Sequence, residues 1–410
     1  MIQETDKRIL DALCCAINGR TVNWGEDLSE ADWQALYSAA AKHNILPLVA
    51  DALPCALPEP YAKRMRQEIV SQAERTAEMC LLLEHLQGKG LHPLVIKGMV
   101  CRSLYPVPEH RPSTDEDLLI NPAEFMQMHA ALLEYGLEPV KPEADLRESF
   151  EVSYHDPNRR LFVEVHKELF TREEPYMNRM NRFFRAVHLH AVPQEIYGIS
   201  IRTPEPNDHL LYLLLHALKH FRNSGVGIRQ ICDIAVYSER NRDSISWGGL
   251  RRKLSELNAL EFARAVYRIA DKYLLPGRSL PNYLAGWNIE SADYEPMLED
   301  VMEGGLYGTS TMSRAHSAVM TSSATARQHG SRMKALLHAV FQPRKDMKEK
   351  YRYLEKAPYL LPVAWAQRLA RYWRELLRGD RRTNSALDSI RVGSERIRLL
   401  QKYRIIDDKK

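Results

Sequence analysis

The sequence lacks the features that mark an exported or membrane protein. The longest strongly apolar run, Leu210 to Leu215, stops at His216, far short of the roughly 20 residues of a bilayer span. Asp6, Lys7, Arg8 and Asp11 interrupt the stretch in which a signal peptide would be apolar. Cysteine is scarce: there are six, without a CxxC pair or a finger-like spacing. That excludes a zinc ribbon and a disulfide scaffold, and predicts buried thiols in a reducing compartment. Net charge is small as well, 57 basic against 53 acidic residues for +4, which argues against nucleic-acid or membrane binding driven by overall charge. No repeat of about 20 to 50 residues is present. A cytoplasmic protein of ordinary globular composition is left, 45% hydrophobic and 27% charged. Its 410 residues suffice for two or three domains of about 150 residues each.

Three textures follow one another along the chain. Residues 1–90 read as helical. Trp33, Leu36, Tyr37 and Ala40 recur at helical spacing after the cap-like Ser29, and a second helix is predicted over about Glu59 to Gln87, stopped by Gly88 and Gly90. Residues 91–203 carry three short runs typical of strands: Leu94-Val95-Ile96, Asp117 to Ile120 and Leu161 to Val165. A helical stretch, Ala123 to Tyr135, lies between the second and third, so this unit reads as α/β or α+β. Residues 204–410 return to helix, one running from Asn207 or Asp208 to about Phe221 and another from Ile228. Leu306 to His329 is rich in Ser, Thr and Gly and reads as a loop. Residues 344–410 hold 19 Lys and Arg against 9 Asp and Glu. These charges are spread over helical positions and mixed with acids, as on a solvated face. Trp365, Tyr372 and Trp373 read as packing residues.

The chemistry concentrates in the middle unit. Asp115 and Asp117 are two apart at the start of an apolar run, so both carboxylates leave a strand by one face while Glu116 points the other way. In the third run Phe162, Glu164 and His166 share a face. If the two strands are neighbours, three carboxylates converge, an oxygen ligand set suited to Mg²⁺ or Mn²⁺ and to in-line attack on a phosphate. Without a cation such carboxylates are expected to raise one another's proton affinity. Lys97-Gly98 precedes Asp115 by about one helical segment. A strand, a glycine and a short helix from about Met99 to Tyr105 would offer backbone N–H groups to phosphate, with Lys97 adding charge. His216 and His220 are four apart on one helix, but no Glu follows the first histidine as in HExxH, so zinc is not expected. Arg229 and Asp233, also four apart, read most simply as an exposed ion pair.

The stretch VIKGMVCRSLYPVPEHRPSTDEDLLI resembles the uncharacterised nucleotidyltransferase family of bacteria, within the polymerase-β-like nucleotidyltransferase superfamily. The resemblance rests on Lys97-Gly98, Leu104-Tyr105-Pro106, Arg111-Pro112 and Asp115, Asp117, Leu118 and Leu119. Glu164 and His166 match the E-x-H motif, and His216, Lys219, His220, Arg229 and Asp233 match a helical H…R…D-I-A segment. Met99 stands where the wider superfamily favours Ser, and Glu164 where it favours Asp. The resemblance implies an α+β fold: a polymerase-β-like core with a small mixed sheet over 91–203, flanked by an N-terminal and a large C-terminal helical region. It implies a nucleotidyltransferase that moves a nucleoside monophosphate, with ATP the expected donor, to an acceptor that is a small molecule, sugar, peptide or protein. Asp115, Asp117 and Glu164 would be the catalytic and metal-ligating set for Mg²⁺ or Mn²⁺. Lys97, Gly98, His220, Arg229 and Asp233 would bind the nucleotide. Nucleic acid and membrane are not expected partners. The competing readings are an inactive nucleotide-binding scaffold and a nucleic-acid-modifying enzyme that uses the basic end.

Overall fold

A computed structural model describes residues 2–24, 28–54, 57–59, 61–140, 146, 148–157, 161–306, 347, 351, 353–367, 370 and 386–406. The architecture is α+β, a seven-stranded mixed sheet with helices before, between and after its strands. The strands are β1 (Leu94–Val95), β2 (Glu116–Leu119), β3 (Glu138–Pro139), β4 (Glu151–His155), β5 (Phe162–His166), β6 (Val192–Ile196) and β7 (Ile199–Thr203). Across the sheet they lie in the order β3-β4-β5-β2-β1-β7-β6. β2 runs parallel to β5 and β1 parallel to β7; the other neighbours are antiparallel. The three predicted runs are β1, β2 and β5, at the centre. The other four strands were not expected, because they are short or interrupted by polar residues and offer no apolar run.

Among the described residues, the helices before, between and just after these strands are α1 (Glu4–Ile17), α2 (Glu30–His43), α3 (Leu46–Asp51), α4 (Tyr61–Gly88), α5 (Met99–Arg102), α6 (Phe125–Tyr135), α7 (Pro175–Asn181), α8 (Pro206–Asn223) and α9 (Ile228–Arg240). Ser29 starts α2 with a reciprocal cap, its hydroxyl accepting from the Asp32 N–H at 3.2 Å while Asp32 accepts from the Ser29 N–H at 3.3 Å. α4 ends where Gly90, at φ +75°, turns the chain so that the Leu91 N–H reaches the Leu86 carbonyl at 3.0 Å.

Strand alternation divides the sheet into two faces. Val95, Leu118, Val152, Tyr154, Val163 and Val165 pack with Met79, Leu82, Leu83 and Leu86 of α4 and with Phe125, Met128 and Leu132 of α6. Each such side chain contributes about 1.5–3 kcal/mol when fully buried. The intervening residues, Asp117, Glu151, Glu164 and His166, therefore leave by the opposite face. α8 is tied to the sheet through His209, whose ring contacts the Ile96 carbonyl at 2.9 Å and the Thr203 hydroxyl at 3.1 Å.

By internal contacts the chain forms two compact units, Met1–Ala217 with Ile228–Glu295, and Leu218–Gly227 with Pro296–Lys410. The whole sheet belongs to the first. In the second, Arg396 of the helix Ala386–Lys402 is buried, donating to Asp300 at 2.5 Å and to the Phe221 carbonyl. At least this member of the basic stretch is structural rather than solvated. Trp365 packs on a small cluster of Met347, Tyr351, Leu354 and Ala364. Tyr372, Trp373 and the Ser/Thr/Gly-rich stretch beyond Leu306 lie outside the described residues.

Candidate active site

The parallel register of β2 and β5 sets Asp117 opposite Glu164 and Leu119 opposite His166. β4 then brings Glu151 opposite His166 and Ser153 opposite Glu164. Glu164 thus stands on an interior strand, not on the edge strand that an exposed glutamate would suggest. The buried Asp117 carboxylate accepts from Lys97 Nζ at 3.0 Å through Oδ2 and meets His166 Nε2 at 3.3 Å through Oδ1. Asp115 shares the same ammonium, its Oδ2 lying 3.3 Å from Lys97 Nζ. His166 Nε2 is 3.9 Å from Glu164 Oε2, and His166 Nδ1 is 3.5 Å from Glu151 Oε2. Asp117, Glu164 and His166 each offer one ligand atom within 4.8 Å of the others, a group that could hold a metal ion. Asp115 is not in that group; it joins the site through Lys97, and His166 takes the third place.

Electrostatically the cluster is split. Burial is the largest single influence and works to raise both aspartates, but the Lys97 ammonium and the other lowering contacts together outweigh it. Asp115 lies below the usual carboxylate range, and Asp117, which also has His166 and the charge of His216 nearby, lies well below it. The expected repulsion still acts, Asp117 working to raise Asp115, but it is outweighed because the chain supplies its own cation. It prevails at Glu164, which burial, followed by the charges of Asp117, Glu151 and Asp115, pushes up to about 7. A carboxyl group balanced near neutral pH can accept or return a proton. Tyr212 on α8 faces the same charges: burial, then Asp117, hold its hydroxyl well above its ordinary value, and that hydroxyl has no hydrogen-bond partner among the described residues.

The sequence pattern of a family described as an uncharacterised nucleotidyltransferase matches residues 29–274, from α2 through the whole sheet and past α9. The chain belongs to this family. Comparison with curated proteins and with solved structures returns no match. Family membership implies a transferase acting on a nucleotide, and no helix among the described residues is long and apolar enough to cross a membrane.

Within this nucleotidyltransferase-family chain, several expected residues have partners other than those predicted. Glu116, on the core face of β2, accepts from the Met99 N–H at 2.9 Å and pairs with Arg102 at 2.7 Å. The Met99 N–H expected to await a phosphate is thus occupied by a side chain of the same chain, and the helix after Gly98 is only the four residues of α5. Arg229 and Asp233 form no exposed ion pair. Asp233 is buried and accepts from Tyr105 at 2.9 Å and from Arg111 at 3.0 and 2.5 Å, while Arg229 donates to the Pro112 carbonyl at 2.6 Å. Both α9 residues grip the segment that leads into Asp115, and Arg229 adds a favourable charge beside that carboxylate. His216 is buried and packs at a tilt against Tyr212 with ring centroids 5.4 Å apart; His220 falls in the second unit. Glu151 escaped the sequence reading altogether. Its only signal was the alternation E-V-S-Y-H, which could have announced a strand beside β5.

Proposed function

We propose that the protein transfers a nucleoside monophosphate, AMP from ATP, to an acceptor nucleophile on a polymerase-β-like core, releasing pyrophosphate. The observation that carries this reading is the pairing of Asp117 with Glu164 across β2 and β5, flanked by His166 and Lys97. The donor set fits a hard divalent ion, Mg²⁺ or Mn²⁺. The proton affinity of Glu164 is raised by its burial and then by the like charges of Asp117, Glu151 and Asp115, which a bound cation would offset. Asp117 and Glu164, with Asp115 alongside, would hold the ion, which when bound neutralises charge developing on the triphosphate.

The side chains divide the remaining work. Glu164, balanced near neutral pH, takes the proton of an acceptor hydroxyl when it is not itself a ligand. Lys97 lies on the triphosphate side, while Gly98 leaves room for the Glu116 carboxylate that takes the Met99 N–H. Arg229 and Asp233 serve the nucleotide through the segment they fix, residues 105–112. The acceptor is a sugar, another small molecule, a peptide or a protein. The test supplies ATP labelled on the α-phosphate with Mg²⁺ or Mn²⁺ over panels of such acceptors. Label should transfer in step with pyrophosphate release, and Asp117→Asn should lower transfer by several orders of magnitude. ATP binding without turnover on any acceptor would leave the scaffold reading instead.

A further inference from the structure

We infer that Lys97 is an internal counter-ion which keeps free divalent ions off the site and gives way to an incoming nucleotide, so that the protein selects the metal–nucleotide pair over the bare ion. The inference rests on the metal reading above and specifies how the site is loaded. Lys97 Nζ lies between Asp115 and Asp117, 3.3 and 3.0 Å from their Oδ2 atoms, with its side chain only 11% exposed and that of Asp117 fully buried. Two carboxylates and one ammonium leave a single net negative charge where a dication would need at least the pair. A dication that takes Asp117 must therefore displace the ammonium or share its carboxylate at close range, and like charges in a poorly solvated site repel strongly.

The change falls to the far end of Lys97. Its backbone is held on both sides: the Ile96 N–H bonds the Asp117 carbonyl at 3.1 Å, and the Lys97 carbonyl accepts from the Val100 N–H at 2.9 Å. The flexible four-carbon stem can carry the ammonium from the aspartates to another anion without moving the strand. A triphosphate offers several negative charges, enough to draw Lys97 away and leave both aspartates for the ion. Nucleotide and ion then strengthen each other's binding by the same factor, as reciprocity of coupled sites requires.

The experiment measures Mn²⁺ binding to the full chain by electron paramagnetic resonance, with and without α,β-methylene-ATP and corrected for ion held by free nucleotide. The forms compared are wild type, Lys97→Met and Asp117→Asn. Wild type alone should bind Mn²⁺ at least tenfold more weakly than Lys97→Met. The analogue should tighten wild-type binding at least tenfold, and that of Lys97→Met much less. Lys97→Gln, whose amide can still donate to the aspartates, replaces Lys97→Met if circular dichroism shows the latter unfolded. Equal Mn²⁺ affinity of wild type and the Lys97 variant without nucleotide, or equal enhancement by the analogue, overturns the inference while the metal site stands. Absence of Mn²⁺ binding in every form, with Asp117→Asn indistinguishable from the rest, overturns the metal reading itself.

Discussion

Replacing Gly98 by alanine asks whether this glycine makes room for a phosphate or for a side chain of its own protein. A Cβ at position 98 would stand 1.8 Å from Glu116 Oε2 and 2.6 Å from its Cδ, and the residue has φ +45°. Glu116 cannot simply swing aside, because it is 3% exposed and its carboxylate is fixed by the Met99 N–H, by Arg102 and by Ser113 at 3.3 Å. Two costs therefore combine. The backbone conformation costs a non-glycine residue about 1–3 kcal/mol, and breaking the buried Arg102 pair about 3–5 kcal/mol. Together they compare with the whole stability of an ordinary domain, about 5–15 kcal/mol. Urea unfolding followed by circular dichroism should show Gly98→Ala with a sharply lowered midpoint and an unchanged slope. Glu116→Ala carries the pair-breaking cost by itself, so adding Gly98→Ala to it should cost only the backbone part. The cycle should then give a coupling of about 3–5 kcal/mol. Single-mutant costs that simply add, or a Gly98→Ala protein of wild-type stability that has lost only ATP binding, would refute this reasoning and return Gly98 to the phosphate role.

Two further outcomes follow from buried charge. Glu164 has a folded-state value near 7 against about 4.3 unfolded, so the native state binds the extra proton between those limits. Its contribution to stability is complete below the lower value and lost as pH rises through the upper one, up to about 4 kcal/mol. Glu164→Gln should flatten that part of the stability–pH profile and be the more stable form above pH about 7; profiles parallel to wild type would refute the assignment. Asp233→Asn leaves Arg111, 1% exposed, without its charged partner and should lower stability by about 3–5 kcal/mol in the same urea assay. A change within a few tenths of a kcal/mol, the worth of the exposed pair read from the sequence, would show that the segment before Asp115 is not held by this contact.

The central strands and their chemistry were legible because period and composition coincided there. Apolar residues of β1, β2 and β5 mark the core face, and Asp117 and Glu164 interrupt that texture at positions where burial without a partner would be costly. Their adjacency was a conditional inference: sequence alone does not say that β5 pairs β2, since β3 and β4 intervene in the chain. β4, β6 and β7 escaped because polar residues interrupt them, and Glu151 escaped with them. Lys97 was read as a strand-end lysine free to meet phosphate. Its bonds to Asp115 and Asp117 depend on the antiparallel pairing of β1 and β2, a tertiary fact. Arg229 and Asp233 were misread for the same reason. An i,i+4 spacing favours a pair on an isolated helix, but packing turned both side chains toward the segment 105–112.

These tertiary contacts acquire a common purpose from the register of β2. The triplet Asp115-Glu116-Asp117 assigns opposite tasks to neighbouring residues: Asp117 faces Glu164, and Glu116 closes on Met99 and Arg102 behind the sheet. A slip of one residue would exchange the two faces, setting Glu116 among the site's carboxylates and Asp117 among Leu82, Val95 and Met128. The segment before β2 is where such a slip is opposed. Gln72 of α4 accepts the Ser113 N–H at 2.8 Å, Arg229 holds the Pro112 carbonyl, and Asp233 holds Arg111 and Tyr105. A chain that buries this many charged groups around the segment 105–113, each costly if left unpaired, has coupled the geometry of its candidate site to the stability of its fold. Weakening any one of these contacts should then loosen the Asp117–Glu164 pairing from a distance, even though none of them touches it.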